Sequence, residues 1–205
     1  MKSKLLKFTK LGLYCPRADL YIDPAGKTNK AVITHAHSDH ARRGSAHYLA
    51  HPVTAELIKH RLGNKINVQG LEYGKVININ GVKISLHPAG HVPGSSQVRL
   101  ESSGEIAVIS GDYKTENDSL STPFEPVKCN LFVTESTFAL PVYKWEEQET
   151  IYKQINNWWA RNSSAGIVSI LCGYSIGKAQ RIIQNLDTTL GKIYTHSVIE
   201  DVNDI

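Results

Sequence analysis

His35-Ala36-His37-Ser38-Asp39-His40 sets three imidazoles and a carboxylate within six residues, directly behind the apolar run Ala31-Val32-Ile33. A strand ending here delivers the segment to a loop. There, residues two apart, His35 and His37, can aim at one cation, and the next pair, Asp39 and His40, at a second. Neutral imidazole and carboxylate are borderline-to-hard ligands suited to zinc, manganese or iron. Four such groups crowded at a strand end repel one another and stay solvated unless something compensates them, which argues for bound metal. The helical zinc motif, with two histidines one turn apart and a glutamate between, does not fit, because the segment has no glutamate and follows a β-type run.

Composition bounds the rest. The chain has 205 residues, 41% of them hydrophobic, enough for a sizeable core in one domain or one and a half. No stretch approaches the ~20 apolar residues of a membrane span. The early lysines 2, 4, 7 and 10 are not followed by a signal-type apolar core. A soluble, cytoplasmic protein without membrane association is expected. Cys15, Cys129 and Cys172 are widely spaced with no C-x-x-C pair, so all three are expected to be reduced and buried. A net charge of +4 and a pI near 8.9 give a mild bias toward polyanionic partners. Arg42 and Arg43 follow the histidine motif within one helical turn, where they either meet a phosphate or stand as exposed helix arginines.

Alternating and short apolar runs predict strands at Leu20-Ile22, Ala31-Thr34, His47-Ala50, Val76-Ile79, Val82-Leu86, Gln97-Leu100, Ile106-Ser110 and Leu131-Thr134. Asn80-Gly81 and Ser103-Gly104 are hairpin turn signals between them. Pro52 to Leu62 reads as a helix with proline in its first turn and Gly63 past its end. After Pro141 the texture changes. Glu146 to Arg161 is an amphipathic helix, Ile167-Leu171 a buried-type strand, Ile176-Leu186 a helix and Ile193-Tyr194 the start of a strand. This alternation suggests a parallel α/β unit. Trp158-Trp159 reads as core and interdomain packing.

Two further sites join the opening motif. His87-Pro88-Ala89-Gly90-His91 closes a hairpin strand before Val92-Pro93-Gly94-Ser95, and His91, on the loop, is the expected ligand, whereas His87 packs or hydrogen-bonds. Ser110-Gly111-Asp112-Tyr113 ends an apolar strand in a carboxylate able to bridge two cations.

In that order, these residues resemble the metallo-β-lactamase fold, over roughly residues 12 to 135. The nucleic-acid-processing branch with a β-CASP domain is the nearer resemblance, on three features. Glu135 in Thr134-Glu135-Ser136-Thr137 looks like its acidic motif, Gly177-Lys178-Ala179-Gln180-Arg181 like its Gly-basic-Ala-Gln helix, and the texture beyond 140 like the start of its insert. With Gly12-Leu13-Tyr14-Cys15-Pro16 and the His87 to His91 pentapeptide, the sequence is most similar to bacterial DNA-ligase-associated exonuclease-like proteins.

The resemblance implies an αββα sandwich portion over residues 1–140 and the beginning of an incomplete β-CASP-like α/β domain over 141–205. It implies His35, His37 and His91 on one metal, Asp39 and His40 on a second, and Asp112 bridging. Asp39, Asp112 and Glu135 become the catalytic set, and Asp23 in Tyr21-Ile22-Asp23-Pro24 supports the metal loop from outside the ligands. Two divalent ions, zinc before manganese, would hold a hydroxide that attacks phosphorus in line. The expected partner is nucleic acid, DNA before RNA, with a functional link to a DNA ligase. Lys178, Arg181 and Arg42 are candidate phosphate contacts. The serines lack a Gly-x-Ser-x-Gly context, against a serine hydrolase. The family's two later histidines have no counterpart before Ile205, which suggests the front portion of a longer enzyme with weak activity or none by itself. Two alternatives remain: a compact thioester, lactam or lactone hydrolase with His196 as last ligand, and a noncatalytic metal-binding nucleic-acid module.

Overall fold

The computed structural model describes residues 5–205 and shows a mixed α/β chain with two sheets and four α-helices. Packing divides it into two units, Met1–Glu135 and Ser136–Ile205.

The first unit is two sheets face to face. One runs in chain order: β1 (Lys7–Thr9), β2 (Gly12–Cys15), β3 (Leu20–Ile22), β4 (Lys30–Val32), β5 (His47–Ala50) and β6 (Val68–Gly70). Its first three strands pair antiparallel and its last four parallel. A parallel neighbour needs a crossover, and one of these crossovers holds the histidine-rich segment. Helix α1 (Pro52–Leu62) links β5 to β6, and the histidine-rich segment links β4 to β5. The helix starts where His51 Nδ1 accepts the Val53 N–H and ends at Gly63, whose φ of 98° suits glycine.

The second sheet comprises β7 (Val76–Ile79), β8 (Val82–Pro88), β9 (Ser96–Ser102), β10 (Glu105–Ile109) and β11 (Leu131–Val133), antiparallel until β11 joins β10 in parallel. Asn80-Gly81 and Ser103-Gly104 all have positive φ, the two-residue turn whose twist matches that of the strands. Leu20, Ile22, Val32 and Leu49 from one sheet meet Val82, Ile84, Leu86, Val98, Leu100 and Ile109 from the other. Each such side chain taken fully from water contributes roughly 1.5–3 kcal/mol. Arg17 pins the far end: its Nε donates to Asn80 O at 3.1 Å, and its Nη1 to Ser102 Oγ at 2.8 Å and Ser103 Oγ at 3.1 Å.

Several sequence expectations need correction. Strand β4 stops at Val32 instead of Thr34, because the Thr34 N–H is taken by Asp23 Oδ1 at 2.8 Å. Strands β1, β2 and β6 are short and largely on the sheet's outer reaches, too brief for an alternation to stand out. Neither Arg42 nor Arg43 is helical: Arg42 lies in irregular chain and Arg43 in the turn that follows it. Cys15 is buried, but Cys129 is half-buried and Cys172 exposed.

The second unit holds α2 (Gln148–Ser164), α3 (Lys178–Gln184), a 3-10 turn (Thr188–Leu190) and α4 (Ser197–Asn203). Its expected strands at 167–171 and 193–194 are not formed. Val168 and Ile170 are 83% and 77% exposed and Tyr194 86%, and a β-prone run without a paired neighbour has no ladder to join. Trp158 and Trp159 are half-buried on α2. No helix among the described residues is long and apolar enough to cross a membrane.

Candidate metal centre

Three loops converge at the ends of β4, β8 and β10. The chain leaves β4 through Thr34 and returns to β5 only after the histidine segment, so His35 is fully buried beneath it. His91 follows β8 on a loop that Ser95 organises, its Oγ accepting the N–H groups of His91 (3.0 Å) and Val92 (3.2 Å). Asp112 follows β10 through Gly111. A Cβ there would come within 2.7 Å of Thr34 Cβ, at a φ of +57°. Glycine is what lets the Asp112 loop lie against the histidine loop.

His35, His37, His91 and Asp112 form a group able to hold a metal ion. His35 Nε2 is 3.0 Å and His91 Nε2 3.3 Å from His37 Nδ1. Asp112 Oδ2 is 3.9 Å from His35 Nε2 and 3.8 Å from His91 Nε2. Tetrahedral zinc with bonds of 2.0–2.1 Å places its ligands about 3.3 Å apart, so these spacings bracket such a shell. The other oxygen of Asp112 points elsewhere: Oδ1 is 3.2 Å from His40 Nε2, which also lies 3.6 Å from Asp39 Oδ2. One carboxylate therefore faces two separate sets of donors.

Hydrogen bonds fix which imidazole nitrogens are bare. Thr34 Oγ1 donates to Asp23 Oδ2 at 2.6 Å and, its proton spent, can only accept from His35 Nδ1 at 3.1 Å. That leaves the His35 Nε2 lone pair toward the group. His40 Nδ1 donates to Asp23 Oδ2 at 2.8 Å, so its Nε2 is left facing Asp39 and Asp112. Burial, followed by its histidine neighbours, holds His35 well below the ordinary imidazole range, in the neutral form a ligand needs. His40 differs. Burial works against its charge, but hydrogen bonds to Asp112 and Asp23 push it up to about 10. The same contact with His40 holds the Asp112 carboxyl low.

The remaining expected residues are placed as follows. Asp39 is open to solvent, its side chain 69% exposed. Glu135 lies just past β11, its Oε1 3.5 Å from the Tyr113 N–H, beside the Asp112 loop but outside the metal-holding group. His87 bonds Ser85 Oγ and Glu125 Oε1, each at 3.1 Å, a packing role. Arg42 donates to the Asp39 and Ala25 carbonyls. In the second unit, Lys178 lies over the Tyr174 ring at 5.1 Å, and the Gly177 N–H donates to Gln180 Oε1 at 2.8 Å. Arg181 sits in the last turn of α3. His196 is not a strand-end residue: its Nδ1 accepts the Val198 N–H and caps α4.

Thr34, Ser95 and Arg61 escaped the sequence reading. Arg61 donates from α1 to the carbonyl of Ala36, between two of the histidines. A hydroxyl beside a histidine, or a basic residue on a helix, carries no periodic signal. Gly111 did carry one, as a glycine opening an acidic strand-end turn.

No family model matches the chain. Among curated proteins, it is 28% identical over 187 residues to a probable DNA ligase of Opitutus terrae, covering 90% of this chain and 18% of that protein. It is 27% identical over 169 residues to the DNA cross-link repair 1A protein of Homo sapiens, with 78% and 16% covered. The endoribonuclease YSH1 of Saccharomyces cerevisiae matches at 26% over 124 residues, 58% of this chain and 15% of that one. The chain thus spans less than a fifth of the length of these relatives. Its homologues are DNA-ligase-associated and β-CASP nucleases, consistent with membership of the β-CASP branch of the metallo-β-lactamase family.

Proposed function

We propose that the first unit carries the metal site of a nucleic-acid phosphodiesterase, acting on DNA as an exonuclease in repair or ligation. The observation that carries this reading is the divided carboxylate of Asp112, one oxygen toward His35 and His91 and the other toward His40. His35, His37 and His91 would hold one cation, Asp39 and His40 a second, with Asp112 shared. Zinc fits the imidazole-rich set best, and manganese is the alternative. When bound, such cations supply Lewis acidity toward phosphoryl oxygens and water activation at neutral pH.

The chain's own residues supply positioning. Asp23 and Thr34 set the tautomers of His35 and His40, Gly111 allows the close approach of Asp112, and Ser95 holds the His91 loop. Glu135, bonded to the backbone next to Asp112, would steady that loop during turnover.

Metal analysis combined with cleavage of end-labelled single- and double-stranded DNA and RNA, against a thioester and a β-lactam, tests the proposal. The expected result is metal binding with weak metal-dependent cleavage of DNA by these 205 residues, both lowered in Asp112→Asn. Turnover of the thioester or lactam with nucleic acids untouched would overturn it.

A further inference from the structure

We propose that Arg42, Arg43 and Arg61 form a phosphate-binding rail beside the histidine loop, gripping the nucleic-acid backbone next to the bond being cut. The inference rests on the nucleic-acid reading of the metal site and adds where the strand lies. Each guanidinium is docked on a backbone carbonyl at that loop or at the end of α1. Arg42 Nε donates to Asp39 O at 3.2 Å and its Nη1 to Ala25 O at 3.3 Å. Arg61 Nη1 donates to Ala36 O, and Arg43 Nη2 to Leu62 O, next to Arg61 itself. Two anchoring carbonyls, those of Ala36 and Asp39, therefore lie between candidate ligands of the histidine segment.

A guanidinium offers five N–H donors in a rigid fork. The carbonyls occupy two on Arg42 and one each on Arg43 and Arg61, so every fork keeps donors for another acceptor. The forks are also held in place, which lowers the entropy lost when they bind a phosphate. Charge supports the same partner. From β4 through β6, residues 30–70, six lysines and arginines stand against two acids, a net +4 equal to that of the whole chain. Of those acids, Glu56 is bonded to Lys59 at 2.7 Å, and Asp39 faces His40. A backbone polyanion, whose charges repeat along a line, suits three arginines of which two are anchored on carbonyls of the histidine segment and the third at the end of α1.

The test is binding of a fluorescein-labelled thymidine oligonucleotide by the full chain in EDTA, between roughly 50 and 200 mM salt. Replacing all three arginines with glutamine should weaken binding about tenfold or more and lower the salt slope by about 2, roughly 0.7 per lost single-strand phosphate contact. Replacement with lysine should restore most of the slope and less of the affinity. A 4-thiothymidine oligonucleotide cross-linked to the unaltered chain should map to the peptides spanning 36–62, a readout independent of how the variants fold. An unchanged slope in a folded glutamine variant, or cross-links confined to other peptides, would overturn the rail and leave the nuclease reading standing. Failure of the unaltered chain to bind any DNA or RNA would remove both.

Discussion

His40 Nδ1 and Asp23 Oδ2 lie 2.8 Å apart, although one belongs to the histidine loop and the other to the turn after β3. Asp23 also accepts the Thr34 N–H and hydroxyl, so a single carboxylate orients the loop and settles the tautomers of two imidazoles. An Asp23→Asn change keeps the shape and removes the charge. It should weaken metal binding by roughly 10- to 100-fold, the usual cost of losing an outer partner of a ligating histidine. Zinc titration against a chromophoric chelator would show this, and unchanged affinity would rule out the orienting role.

Proton release should accompany loading. Without metal, His40 keeps its proton up to about 10. A cation at its Nε2 at neutral pH must therefore displace that proton, and affinity at this pole should rise with pH. Calorimetry in buffers of different ionisation enthalpy counts the protons; a count of zero contradicts the assignment. Stability of the metal-free chain follows the opposite sense. A raised folded-state pKa contributes fully below the ordinary value near 6.5 and is lost as pH rises toward about 10. The melting temperature of metal-stripped protein should fall over that window.

Two histidines four residues apart should separate cleanly. His91→Ala should lower metal stoichiometry, because its Nε2 faces His37 and Asp112. His87→Ala removes bonds to Ser85 and Glu125 and should cost about 1–2 kcal/mol of stability with metal content intact. Elemental analysis of the two purified variants is sufficient, and metal loss in His87→Ala would exchange their roles.

Arg17 acts at the opposite end of the sandwich. Strand β8 starts at the turn Arg17 binds and ends before His91, and β10 likewise runs from the Ser103-Gly104 turn toward Asp112. Arg17→Ala should lower stability by about 1–3 kcal/mol, since it also leaves Ser102 Oγ and Asn80 O short of a donor. Metal affinity should be unchanged. Thermal melting beside metal titration checks both halves of the expectation.

Legibility tracked how locally each feature is encoded. The hairpins showed themselves because Asn80-Gly81 and Ser103-Gly104 are local conformational demands. Helix α1 matched from Pro52 to Leu62 because proline and glycine bracket it. The histidines and Asp112 were legible as chemistry, and folding brings them together from positions as far apart as 35 and 112. Thr34, Ser95 and Arg61 were not, since their roles exist only once another loop has arrived. The run Ile167 to Leu171 misled for the converse reason: strand propensity is a statement about partners, and none pairs with it among the described residues.

His37 and His91 stand 54 residues apart in the chain and meet at 3.3 Å. Loop-closure entropy grows with the logarithm of that separation, so such a meeting is costly to form before the sheets are in place and cheap afterwards. On that ground the centre would form after the sheets that carry its loops. A cation bound there would then act as a latch on the finished sandwich, slowing its opening without hastening its formation. Metal availability would then govern how long the folded protein lasts as well as what it can do.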